Sequence, residues 1–182
     1  MKGLILSLMI VIAASPAFSQ TDKKLSFSVG PELCFATGSF SSTHSVGVGG
    51  TAQAEYHFRD KLKWTATFGL LGYAGKSTTI DNQEYSIPGQ VIIPLRVGAK
   101  YFLAEGFYGG AQLGVAFLSH AQKGTMFACS PLMLGYEFKT KSEKSFDITI
   151  KYDAYTGSDP EDADINSNGT IGSFGLRAAY IF

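Results

Sequence analysis

Beyond its first residues this chain of 182 amino acids has no uninterrupted apolar run approaching eighteen residues, so no later segment can cross a bilayer as a helix. Charge is also scarce: Asp, Glu, Lys and Arg make up 16% of the sequence, with 15 bases against 15 acids. The absence of a basic excess removes the usual argument for nucleic acid or an acidic partner. Only two cysteines occur, Cys34 and Cys129, too few for a disulfide framework, and their pairing stays open. The three histidines, His44, His57 and His120, leave little material for a metal or acid–base centre.

What is present begins with "MKGLILSLMIVIAASPAFSQ". Lys2, the apolar run from Leu4 to Ala14 and the small residues Ala17 and Ser19 read as a signal peptide over residues 1–19. A run this short does not span about 30 Å of hydrocarbon. No cysteine lies near the expected cut, so a lipid-anchored form is not indicated. Residues 20–182 then form one exported domain.

That domain alternates with a period of two in eight segments, which predict strands over Leu25–Ala36, Val46–Phe58, Lys63–Ala74, Gln90–Phe102, Phe107–Leu118, Pro131–Phe138, Phe146–Tyr155 and Gly172–Phe182. The connections alternate between short ("RDKL", "LAEG", "KTKSEKS") and long ("TGSFSSTH", "GKSTTIDNQEYSIPG", "SHAQKGTMFACS", "TGSDPEDADINSNGT"). Short turns on one rim and long loops on the other, with both termini on the turn side, predict an all-β, eight-stranded antiparallel up-and-down barrel that spans a membrane. In "FGLLGYAG" Leu70 and Leu71 stand side by side, which predicts a bulge or a break of frame.

Parity separates two faces. When the apolar residues set the frame, Glu32, Glu55, Arg96, Lys100, Glu137, Asp147, Lys151, Asp153 and Arg177 all fall on the opposite face, predicting a packed polar lumen of ion pairs. A soluble barrel would invert this arrangement, holding the apolar face inside around a ligand. The aromatics favour the lipid-facing frame: Phe27, Tyr56, Phe58, Trp64, Tyr101, Phe107, Tyr136, Phe138, Phe146, Tyr180 and Phe182 gather at the turn end of the apolar face, as a headgroup girdle does.

These features resemble the small eight-stranded outer-membrane barrels of Gram-negative bacteria, similar to the OmpX and OmpA transmembrane barrels. The sharpest element is the ending, where Phe174, Leu176, Ala178, Tyr180 and Phe182 match the alternating, aromatic-terminated signal that the barrel-assembly machinery reads in that group. The resemblance implies insertion in outer-membrane lipid, both termini in the periplasm, a lumen closed by side chains and long loops outside that meet an extracellular partner. No cell-wall-binding domain follows, so that role does not carry over.

Enzymes also use this scaffold. Lipid A deacylases of this shape carry a His-x-Ser pair, and none of the three histidines here has Ser two residues on. Palmitoyl-transferring barrels draw His, Asp and Ser from separate loops, and His44 and His120 sit among loop-side serines that read as solvated. The function expected is therefore non-enzymatic, through the loops, with a narrow channel as the first alternative and a lipid-modifying enzyme as the second. No cofactor is expected, with one motif set apart: "DINSNGTI" places Asp164, Asn166 and Asn168 at the first, third and fifth positions of a calcium loop. Gly175 stands where the bidentate Glu belongs, and the same residues build ordinary turns, so both readings stay open.

Overall fold

The computed structural model describes residues 24–80, 83–120, 123–139, 145–157 and 169–182. The signal-peptide reading and the calcium-motif residues Asp164, Asn166 and Asn168 lie outside the described residues. The strands are β1 (Leu25–Thr37), β2 (His44–Arg59), β3 (Leu62–Gly75), β4 (Ser77–Ile80), β5 (Gln83–Ser86), β6 (Gln90–Phe102), β7 (Phe107–His120), β8 (Gly124–Lys139), β9 (Ser145–Gly157) and β10 (Gly169–Ile181). A single helical turn, α1 (Phe40–Thr43), lies between β1 and β2. No helix among the described residues is long and apolar enough to cross a membrane.

Eight strands close into one barrel in the order β1-β10-β9-β8-β7-β6-β3-β2, with every neighbouring pair antiparallel. β4 and β5 form a separate hairpin within the second long connection. Closure brings the first and last strands together: Glu32 pairs with Arg177, Phe35 with Phe174, and the Phe182 amide donates to the Phe27 carbonyl at 2.8 Å. The barrel thereby has no open sheet edge left to be satisfied by solvent.

The outside is apolar. Phe27, Trp64, Phe68, Leu95, Val97, Leu132, Ile150 and Phe174 all stand about half exposed on the outer wall, while Glu32, Arg96, Lys100, Glu137, Asp147 and Arg177 are buried within. Water would make such a wall costly, at about 25 cal/mol per Å² of apolar surface; lipid does not. Small inward residues permit the tight curvature. An added methyl on Gly98 would run into the Ala111 carbonyl, and one on Gly114 into the Leu95 carbonyl, both main-chain atoms that cannot step aside.

Two expectations are corrected. β3 carries no bulge at Leu70–Leu71: Leu70 is 53% exposed outside and Leu71 fully buried inside, so the alternation continues and the loop end of the lumen is apolar. β8 starts seven residues before the expected Pro131, absorbing most of the third long connection. The register shift between Cys129 and Leu132 explains the oversight, because Pro131 and Leu132 both face outward and reset the frame. Pro131 also has no N–H to give to a ladder, so a bulge is where β8 tolerates it.

Candidate functional site

The lumen is built in three tiers along the barrel axis. At the turn end, Lys63 from β3, Glu55 from β2, Lys100 from β6, Glu137 from β8, Asp147 from β9 and Arg177 from β10 meet. Lys100 Nζ lies 2.6 Å from Glu55, 2.8 Å from Asp147 and 3.7 Å from Glu137, and over the Tyr108 ring. Lys63 bridges Glu55 at 3.1 Å and Glu137 at 2.7 Å. Three carboxylates face three cations, so the tier is neutral.

Hydroxyls and amides complete it. Tyr108 donates to Asp147 at 2.7 Å, Arg177 donates to Ser28 and Thr51, and Gln112 donates to Thr65 and Thr67. The end of the Tyr108 ring packs on Gly135, where an added methyl would run into it. The carboxylates of Glu55, Glu137 and Asp147 come within 4.8 Å of one another, as metal ligands do, but the ammonium of Lys100 bonds into the group and supplies the cation itself.

The middle tier is a second neutral set. Arg96 Nη1 donates to Asp153 at 2.6 Å and to Ser130 at 2.7 Å; Lys151 lies 3.4 Å from Asp153 and 2.9 Å from Glu32. All nine charged residues named from parity therefore sit inside the barrel, buried, and are divided between two clusters. Lys63 was missed because it opens its strand, although outward Trp64 beside it gives its direction.

The loop-end tier is not polar, and this corrects the reading of a wholly polar lumen. Cys34, Leu71, Tyr73, Ile92, Ala116, Leu118, Ala128, Tyr155 and Ile171 form a buried apolar layer drawn from all barrel strands but β2. Phe40 of α1 caps it, stacked on His44 at 4.4 Å and edge-on to Tyr73 at 5.2 Å. Gly38 at φ 61° lets the chain turn inward ahead of the helix. Ser39 bonds the Thr170 carbonyl, and Lys76 bonds the Ser41 carbonyl at 2.6 Å, fixing the cap to two other strand ends.

His44 is consequently a buried residue, bonded to Thr43 at 2.9 Å, rather than a solvated loop histidine. His120 is exposed. Both cysteines are free, Cys34 inside the barrel and Cys129 between inward-facing Ala128 and Ser130 on β8. At the opposite end, a cavity of about 710 Å³ opens among the turns and reaches inward as far as Lys63 and Glu137.

Solved structures share the fold of this barrel. The Neisserial surface protein NspA superposes with a TM-score of 0.59 at 13% identity, over 89% of this chain and 98% of that one. The fold is that of the eight-stranded outer-membrane barrels. OprG of Pseudomonas aeruginosa matches at a TM-score of 0.53 and 10% identity, over 87% of this chain and 95% of that one. The Yersinia pestis outer-membrane protein Ail, solved in a phospholipid nanodisc, matches at 0.53 and 15%, over 88% of this chain and the whole of that one. No family model and no curated protein matches the sequence.

Proposed function

We propose that the protein is an integral outer-membrane barrel that conducts no solute and catalyses no reaction, and that it acts through the elements on its loop side. The observation that supports this reading is the occupation of the lumen by side chains: two charge-neutral networks lie in its lower and middle tiers, and Phe40 caps an apolar layer above them. An eight-stranded barrel is just wide enough to be filled by side chains, and every tier here uses that width. The apolar wall and its turn-end aromatics support membrane insertion with the turns in the periplasm.

The surroundings of His44 support a non-catalytic reading. His44 is held by Phe40 and Thr43, neither of which can act as the acidic partner of a hydrolytic or acyl-transfer set. The buried carboxylates are each engaged by a lysine or arginine. Incubation with phospholipid and lipid A tests this reading: both keep their masses, and a change in either overturns it. Among the described residues the loop-side elements are then the α1 cap and the β4–β5 hairpin, the parts that a rigid barrel holds away from the membrane.

A further inference from the structure

The middle tier contains a chain of ion pairs that does not close. It runs from Arg96 to Asp153, from Asp153 to Lys151 and from Lys151 to Glu32. Arg96 and Glu32 are its two ends, and they are also the charged residues that hold unmatched buried atoms. Arg96 Nε and Nη2 have no acceptor, and Glu32 Oε2 has no donor, among the described residues. Arg96 is 1% exposed and Glu32 is 2% exposed.

The two are linked through Asp153 and Lys151, which lie 3.4 Å apart. Two donors and one acceptor left bare in a buried site would each carry a desolvation penalty of about 1–3 kcal/mol. Buried polar groups that lack protein partners are normally met by ordered water.

We infer that ordered water is bound between Arg96 and Glu32, accepting from Arg96 Nε or Nη2 and donating to Glu32 Oε2, and that it closes the chain of pairs into a ring. Charge selects water over an ion. Arg96 and Lys151 balance Asp153 and Glu32, so an added anion or cation would leave the tier charged in a buried environment. The apolar layer capped by Phe40 lies on one side of this water and the turn-end network on the other, so it is a fixed part of the fold and not a segment of an open aqueous path.

Crystals of the full chain in detergent, grown with and without sodium bromide, test the assignment. The expected result is oxygen density within about 3.2 Å of Arg96 Nε or Nη2 and of Glu32 Oε2, with no anomalous bromide signal there. Arg96→Lys keeps the charge facing Asp153 but removes both bare donors, so the bridging density is lost in that variant. Bromide at the site, direct contact between Arg96 and Glu32, a loop carbonyl serving Arg96, or a dry site would each overturn the inference. Magnetisation transfer from water to the Arg96 Nε proton in nanodiscs provides a reading independent of crystals, and its absence would count against bound water.

Discussion

Replacing Lys100 with Met removes the cation around which the turn-end tier is built. Methionine approximates the length of the lysine stem, so the change isolates charge from packing. In the native barrel Lys100 is fully buried and reaches Glu55, Asp147 and Glu137 at 2.6, 2.8 and 3.7 Å. Without it, three carboxylates whose oxygens lie within 4.8 Å of one another face only Lys63 and Arg177. Leaving a buried charge without its partner costs about 3–5 kcal/mol. With a urea slope of about 2 kcal/mol per M, the unfolding midpoint falls by about 1.5–2.5 M. The assay is the fraction of barrel that retains its folded gel mobility without heating, measured from vesicles across a urea series. Lys61→Met, at an exposed turn position, is the control and shifts stability by no more than about 0.5 kcal/mol. Pairing Lys100→Met with Asp147→Asn should recover part of the loss through a coupling of about 0.5–3 kcal/mol. If Lys100→Met unfolds at the same urea concentration as the control, the network merely fills space and the electrostatic account is wrong.

Other perturbations address the remaining tiers. In a Cys129→Ser background, Phe40→Ala uncovers the apolar layer, so Cys34 reacts with a small thiol reagent that it resists beneath the native cap; equal labelling with and without Phe40 would remove the cap from the account. Gly135→Ala pushes a methyl into the Tyr108 ring and disturbs its bond to Asp147, costing about 1–3 kcal/mol in the same urea series, and a neutral result would show that Tyr108 is free to move. Deleting Phe182 removes the last backbone bond to Phe27 and the final outward aromatic, and it lowers barrel yield far more than trimming 161–166; equal yields would contradict an assembly role for the ending.

Much of this architecture is legible in the alternation of the chain, since a barrel gives every second residue a different solvent. Glu55, Arg96, Lys100 and Asp147 could be placed inside because outward Tyr56, Leu95, Val97, Tyr101, Phe146 and Ile148 fix the frame around them. Pairing within the lumen was not legible, because it depends on residues that approach from opposite walls, as Lys63 and Glu137 do. The β8 start was hidden by the frame shift beside Pro131, which turns a continuous strand into two patterns out of phase. The bulge expected at Leu70–Leu71 has a simpler reason: an apolar inward residue such as Leu71 violates the polar-in rule, although the strand itself is regular. The α1 cap rests on long-range contacts between Phe40 and Tyr73, and Ser39 and Thr170, that no local pattern announces.

The sealed lumen is the central claim, and reconstitution into a planar lipid bilayer at neutral pH tests it most directly. The account predicts a quiet baseline across the voltage range, with protein incorporation verified by its heat-dependent gel mobility. Stable, large conductance steps from the verified barrel would contradict it.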